Sequence, residues 1–205
     1  MSFKLRFAKE DVRVLGDEQV FDGYFKVHRR KFQHRAFAGD WSQPVVREVF
    51  ERGDAVGVLP YDPSTDSLIL IEQFRAGCVR DGDSPWMLEL IAGIVEAGED
   101  DLDVARRESI EEAGCELDLI EPIAAYYPSA GACTEHVRLF CGRALTAADG
   151  KVRGLASEGE DILVHRIPRD VVMKALKEGQ INNGHTLVAL QWFALHVDEL
   201  RHRWL

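Results

Sequence analysis

Between Gly93 and Cys115 the sequence reads GIVEAGEDDLDVARRESIEEAGC, and it brings Glu99, Glu108, Glu111 and Glu112 together with Arg107, Gly93 and Gly114. On a helix turning about 100° per residue, Glu108, Glu111 and Glu112 share an arc roughly 100° wide. Three like charges within one turn repel each other, and a merely solvated face would be better served by acids alternating with lysine or arginine. A hard divalent cation relieves that repulsion. Oxygen-only donors suit Mg²⁺, with Mn²⁺ as a substitute, rather than zinc, which takes histidine or cysteine. Such an ion keeps several waters and reaches substrate phosphates.

These acids need a helix, and the pattern predicts one over Asp101 to Ala113. Asp100 or Asp101 can cap its start, and Gly114 can take the left-handed conformation that stops it. Leu102, Ala105, Ser109, Ile110 and Ala113 fall on one face, which is the expected buried one. Upstream, Gln19 to Phe37 alternates apolar and polar residues around Asp22-Gly23, as antiparallel strands do. Ala55 to Leu59, a turn-rich Asp62-Pro63-Ser64-Thr65-Asp66 and Ser67 to Phe74 read as a hairpin with a wide loop. Further strands are expected near Ile123 to Tyr127, His136 to Gly142 and Ile162 to Ile167. Helices are expected at Arg169 to Lys177 and Thr186 to Arg201. Strands around a central helix, ending in helices, indicate an α+β sandwich; strands and helices do not alternate regularly enough for a parallel doubly wound sheet.

At 205 residues the chain has room for one globular unit and a small appendage. Its 46% hydrophobic and 29% charged residues exclude disordered and fibrous classes. A formal net charge of −10 argues against nucleic acid gripped by a broad basic surface. Cys78, Cys115, Cys133 and Cys141 form no CxxC pair and read as free thiols. The opening MSFKLRFAKEDVRVLG is too charged for a signal peptide, and no apolar run is long enough to span a bilayer. The expectation is a cytoplasmic protein with neither a membrane nor a nucleic acid partner.

The segment from Gly93 to Cys115 resembles the Nudix box, G-x5-E-x7-R-E-U-x-E-E-x-G-U with U a bulky aliphatic residue, at Gly93, Glu99, Arg107, Glu108, Glu111, Glu112 and Gly114. Ser109 and Cys115 are smaller than the usual U residues. The resemblance implies a Nudix hydrolase: mixed β-sheets sandwiched by helices, cleaving a nucleoside diphosphate linked to another moiety. It implies two or three Mg²⁺ ions per site, with Glu108 and Glu112 as principal ligands beside the backbone carbonyl of Ala92. Glu111 is either a further ligand or a base. Arg107 and Glu99 become a buried pair that braces the loop and helix, while Gly93 and Gly114 support the box.

Beyond the box, REVFERGDAVGVLPYDP, LIEQFR, PWMLELIAGIVEAGE, GLASEGEDILVH and VALQWFALH resemble the bacterial ADP-ribose pyrophosphatases. That resemblance implies a homodimer in which an N-terminal β arm, residues 1–48, is exchanged between subunits, followed by a hydrolase domain over residues 49–205. It implies that Arg47 and Glu48 lie near the adenine, with Tyr24 or Phe25 of the partner subunit stacking on it. Arg52 and Arg75 are candidates for meeting phosphate, since cations must meet a diphosphate. Ile94 joins the substrate residues. Glu158 is implied as general base and Glu160 as a further metal contact. Ser129-Ala130-Gly131 stands where the subfamily has Ser-Pro-Gly, and it faces the terminal ribose with Glu135 reaching a sugar hydroxyl. The implied reaction is hydrolysis of ADP-ribose to AMP and ribose 5-phosphate. Its rivals are hydrolysis of ADP-glucose or GDP-mannose, and a non-catalytic nucleotide-binding module.

Overall fold

A computed structural model describes residues 4–80 and 84–205, the side chain of Glu158 excepted. The chain divides into two units, Met1–Gly53 with Tyr127–Glu135, and Asp54–Tyr126 with His136–Leu205.

The first unit is a four-stranded antiparallel sheet. β1 (Val12–Asp22) and β2 (Lys26–Ala36) form a long hairpin, and β3 (Gly39–Trp41) and β4 (Val45–Glu51) pair with β2. Its register is written in charge: Arg29 of β2 stands directly opposite Glu18 of β1 and Glu48 of β4. Neighbouring Arg30, on the other face, reaches Asp17 at 2.9 Å and Glu51 at 2.6 Å. Such cross-strand pairs select register more than they add stability, because exposed ion pairs are worth under about 1 kcal/mol each. Phe50 closes the unit by exchanging backbone hydrogen bonds with Ala132 and Thr134 at 2.7 and 3.0 Å. All of β1 is exposed, with Val14 63% and Phe21 57% accessible.

The second unit is built on an eight-stranded mixed sheet. β5 (Ala55–Asp62), β6 (Ser67–Phe74), β7 (Trp86–Glu89) and β8 (Ile91–Ile94) lead into α1 (Asp101–Ala113). Then come β9 (Leu117–Tyr126), β10 (Val137–Ala144), β11 (Val152–Arg153), β12 (Ile162–Pro168), α2 (Arg169–Lys177) and α3 (Gly184–Trp204). β5 and β6 pair only at Tyr61↔Leu68 and Asp62↔Ser67, beside their loop, and then part. β6 takes β7 as its new partner, and β5 takes β8. β10 runs parallel to β5, while the other pairings are antiparallel.

Strand alternation sorts the core into two layers. Val56, Val58, Ile69, Ile71 and Ile91 pack with Val104, Ala105 and Ala113 of α1. Leu59, Tyr61, Leu68 and Leu70 pack on the opposite face with Leu190, Phe193 and Leu200 of α3. The fold is thus the α+β sandwich expected from the pattern of elements. α1 and α2 have the expected bounds, whereas β9 begins at Leu117 and α3 extends over Gly184–Trp204. One expectation of burial is corrected: Ile110 is 54% exposed, and the buried face of α1 is Val104, Ala105, Ser109, Glu112 and Ala113. The hydroxyl of Ser109 donates to the Ala105 carbonyl at 2.7 Å, which is how a polar residue tolerates that face. Cys115 is fully buried in the same layer.

The loop between β5 and β6 is held by Asp62. Its carboxylate accepts the Ser64 N–H at 2.9 Å, the Ser64 and Thr65 hydroxyls at 2.6 and 2.8 Å, and Arg166 Nη1 at 2.5 Å. Burial pushes this carboxyl up, but the hydrogen bonds from Ser64, Thr65 and Arg166 outweigh it and hold the pKa at about 2. A folded-state pKa below the unfolded one adds stability above pH ~4 that is lost as pH falls towards 2. Asp62→Asn should therefore cost about 2 kcal/mol at neutral pH, with the deficit shrinking between pH ~4 and ~2. Urea melts of both proteins across that range measure it; a deficit independent of pH would refute the ionised anchor.

Candidate active site

Helix α1 is fixed at both ends. The Asp100 carboxylate accepts the Leu102 N–H at 2.9 Å, and Gly114 adopts φ 55°, ψ 35°. In that left-handed conformation Gly114 N–H returns to the Ile110 carbonyl at 2.9 Å and Cys115 N–H to that of Ser109 at 2.8 Å. A further tie runs from Arg138 of β10, whose Nε lies 2.5 Å from Asp101 in the first turn. The helix therefore cannot rotate without breaking a cap, and its acids face fixed directions.

Glu108 and Glu112 turn towards β8, while Glu111 turns along the helix surface. Glu112 is 3% exposed, and its Oε2 accepts the Ala92 N–H at 3.1 Å. Among the described residues β8 pairs with β5 alone, so one edge of β8 has no strand partner there, and the carboxylate takes the place of one. In an extended strand the N–H and C=O of one residue point to the same side, so the Ala92 carbonyl faces the space that holds Glu112. Glu108 approaches the next residue so closely that a Cβ built on Gly93 would stand 1.8 Å from its Oε1. Only glycine permits that approach.

Arg107 explains how acids so close together coexist. Its Nη1 donates to Glu108 at 2.9 Å and to Glu111 at 3.1 Å, and its Nη2 lies 3.6 Å from Glu99. The expected bracing arginine is present, but it is 39% exposed rather than buried, and it hydrogen-bonds two helix acids rather than Glu99. Glu99 instead accepts the Glu96 N–H at 2.8 Å and stiffens the loop before the helix.

Burial raises the Glu108 pKa, with Glu111 and Glu160 adding to it against Arg107. Burial pushes Glu112 up to about 8; Glu108 and Glu160 push the same way, against the Ala92 N–H and Arg75. Glu160 is thus near enough to both helix acids to be felt, and its Oε2 accepts the Leu155 N–H at 2.9 Å. Glu158 ends the short turn Ala156–Glu158, and its side chain lies outside the described residues.

Glu108 and Glu112 meet β8 at Gly93 and Ala92, and Glu160 is felt by both, so these carboxylates and the Ala92 carbonyl are the candidate oxygen donors. Among the described residues no three His, Cys, Asp or Glu groups close into a cation cage by themselves. An open oxygen set fits Mg²⁺ or Mn²⁺, which complete their shells with water and substrate oxygens. Next to it, Arg75 is held by Glu89, which is 2% exposed, through contacts of 2.7 to 3.2 Å. Ile94 is half-exposed on the strand that carries Gly93. A groove of about 610 Å³ between α2 and α3 opens on the opposite face of the sheet from α1 and meets none of these groups.

The remaining substrate candidates belong to the first unit. Tyr24 is 87% and Phe25 37% exposed, with their rings edge to face at 4.8 Å, so core packing does not account for Tyr24. Arg47 Nη1 donates to the Val46 carbonyl at 2.8 Å, and Glu48 accepts Arg29 at 3.4 Å. Arg52 is engaged with the buried Glu135, so these two candidates hold each other. Ser129, Ala130 and Gly131 are exposed in a turn. Sequence reasoning missed Glu89 and its partner Asn183. An acid inside the apolar run WMLELIAG was the available signal.

A family model described as NUDIX domain matches residues 51–197. The chain is 39% identical over 198 residues to the ADP-ribose pyrophosphatase of Escherichia coli, covering 97% of this chain and 95% of that protein. It is 40% identical over 207 residues to the ADP-ribose pyrophosphatase of Haemophilus influenzae, covering 100% and 95%. The GDP-mannose pyrophosphatase of Shigella flexneri is 28% identical over 187 residues, covering 91% and 96%. A crystal structure of an ADP compounds hydrolase superposes with a TM-score of 0.72 at 20% identity, covering 97% of this chain and 98% of that one, and speaks for the fold alone.

Gly93→Ala tests the contact directly. The three atoms nearest to the added methyl all belong to the Glu108 side chain. That side chain must swing away, so Mn²⁺ affinity, measured by electron paramagnetic resonance titration, should fall roughly tenfold. The melting temperature should fall by only a few degrees, since a side-chain rearrangement costs about 1 kcal/mol. Unchanged Mn²⁺ affinity would remove Glu108 from the donor set.

Proposed function

The chain belongs to the NUDIX domain family, and from that premise we propose that it hydrolyses the diphosphate of ADP-ribose to AMP and ribose 5-phosphate, using Mg²⁺. The observation that carries this reading is the buried Glu112 carboxylate on the Ala92 N–H, beside Glu108 and Glu160, in a chain with ADP-ribose pyrophosphatase relatives along nearly its whole length.

In this reading Glu108, Glu112, Glu160 and the Ala92 carbonyl hold the ions, two or three in number, and Mn²⁺ substitutes for Mg²⁺. When bound, the ions supply Lewis-acid charge that eases ionisation of the attacking water and neutralises phosphate oxygens. Glu158 is the proposed base, with Glu111 as the alternative; either takes the water's proton as the oxygen attacks phosphorus. Arg75 meets a phosphate oxygen. Arg107 bridges Glu108 and Glu111 and offsets their repulsion, and Gly93 gives Glu108 its approach. Tyr24, Phe25, Arg47, Glu48, Arg52, Ser129, Ala130, Gly131 and Glu135 are the proposed recognition residues for base, ribose and phosphate, with Ile94 beside the box glycine.

Residues 1–48 are the proposed dimerisation arm and residues 49–205 the hydrolase domain, and a wholly exposed strand carrying Val14 and Phe21 supports the arm's role. Among the described residues no helix is long and apolar enough to cross a membrane. All four cysteines are free, which supports a reducing, cytoplasmic location. Ala130 favours a second reading, hydrolysis of ADP-glucose or GDP-mannose, because it replaces a proline that would have fixed the loop's shape.

Product analysis with ADP-ribose, ADP-glucose and GDP-mannose, each with Mg²⁺ and with EDTA, decides between them. Metal-dependent AMP from ADP-ribose at the highest kcat/KM is expected; preference for another sugar would move the specificity to the Ala130 loop. Glu112→Gln should lower turnover at least ~1,000-fold at saturating Mg²⁺, since it removes a charged donor at nearly constant volume. Its circular dichroism should match the parent. Wild-type turnover in this variant would exclude Glu112 from the metal site.

A further inference from the structure

Beside the α1 acids lies a second buried carboxylate that the proposed chemistry does not use. Glu89 ends β7, and it accepts Arg75 Nε at 3.1 and 3.2 Å and Arg75 Nη2 at 2.7 Å. It also accepts Asn183 Nδ2 at 3.0 Å and Gln73 Nε2 at 3.4 Å. Asn183 is the N-cap of α3, and its Oδ1 takes the Thr186 N–H at 3.0 Å. The Thr186 hydroxyl in turn accepts the N–H of Leu90, the residue between β7 and β8, at 2.9 Å. One carboxylate therefore ties together the end of β6, the start of α3 and the strand that carries Ala92 and Gly93.

Burying an ion pair is a weak way to gain stability, because apolar residues of similar volume commonly hold such a position as well or better. What the pair does provide is direction. Both donors of one edge of Arg75, Nε and Nη2, are taken up by Glu89, so the plane of the guanidinium is fixed. Nη1 of Arg75 makes no hydrogen bond among the described residues. The same guanidinium feels both Glu112 and Glu160, which puts it on the side of the site where those two acids lie.

We propose that Glu89 is a positioning residue for the reaction: with Asn183 locking it to the α3 cap, it holds the Arg75 guanidinium so that Nη1 meets a phosphate oxygen of the substrate's diphosphate. The proposal rests on the diphosphate-hydrolysis reading and adds to it the device that aims the arginine. A guanidinium without its carboxylate would sample many rotamers and swing towards the α1 acids, which would engage it in place of substrate.

The test is a double-mutant cycle of Glu89→Gln and Arg75→Ala, assayed with ADP-ribose over a range of Mg²⁺ concentrations. Each single variant should lose roughly 10- to 100-fold in kcat/KM, the usual effect of removing an orienting partner. The double variant should lose no more than about twofold beyond the worse single, because both remove one function. The Mg²⁺ concentration for half-maximal rate should not move. Asn183→Asp keeps the helix cap but removes the amide donor to Glu89, and it should give a smaller loss of the same kind; it carries the test if Glu89→Gln does not fold. Wild-type kcat/KM in Glu89→Gln, losses that multiply in the double variant, or a shifted Mg²⁺ requirement would each overturn the proposal. Calorimetric titration of ADP-ribose without metal separates this from failure of the function itself. A chain that binds ADP-ribose without cleaving it, with affinity weakened equally by both single variants and by their combination, keeps the positioning role. A wild-type chain that neither cleaves nor binds it overturns both readings.

Discussion

A carboxylate lies where the packing of a helix on a sheet calls for a hydrocarbon, and much of the local structure follows from making that tolerable. Glu112 shares the buried face of α1 with Val104, Ala105 and Ala113. An isolated charge there would be costly, and burial accordingly pushes this carboxyl's pKa up. Two features answer it, an unpaired backbone N–H on β8 and a guanidinium from the end of β6, while Glu108, admitted by the glycine at position 93, works against them. Neither is complete on its own. Together they leave a cluster of acids beside β8 that the protein's own cations answer only in part.

That arrangement requires the sheet to open. β5 and β6 part after two residue pairs because each takes a new neighbour, β8 and β7 respectively. A closed β5–β6 ladder would have satisfied every backbone group and offered α1 only side chains. Parting gives β8 an edge without a strand partner at Ala92, and α1 lays its acids along that edge. The turn between β5 and β6, held by Asp62 and by Asp66 on Arg169, fixes the closed end of the fork. The α3 cap, through Thr186 on Leu90, holds the β7–β8 junction at the other end.

Periodicity made much of this legible. Alternation in Ala55 to Phe74 and the cap and stop residues around Asp101 and Gly114 predict the elements because they are local rules. The acids Glu108, Glu111 and Glu112 were legible as a group because helix spacing is fixed. Their individual directions were not. Angular position alone treats the three as equivalent, whereas Arg107 takes Glu111 along the surface and the β8 edge takes Glu112 inside. The same geometry misjudged Ile110, since a helical wheel does not know that the sheet approaches at Ser109 and Glu112. Glu89 was harder still. Its partners Arg75 and Asn183 are far away in sequence, so nothing near it distinguishes a buried anchor from an outward-facing acid.

The arginines show a division of labour that the composition conceals. In the first unit Arg29 and Arg30 meet acids at the surface, where solvent weakens each pair and register is the main gain. In the second unit Arg75 leans on the buried Glu89, and Arg107 on Glu108 and Glu111 within one turn of α1. Arg107 divides its Nη1 between Glu108 and Glu111, so it lowers the repulsion within the helix without neutralising either acid. Arg75 is instead committed to an acid outside the helix, leaving Glu112 and Glu160 to attract something else. Had Arg75 paired with Glu112, that acid would be answered within the protein, as Glu89 is now. The partner of that one guanidinium therefore sets how much negative charge is left beside Ala92 and Gly93.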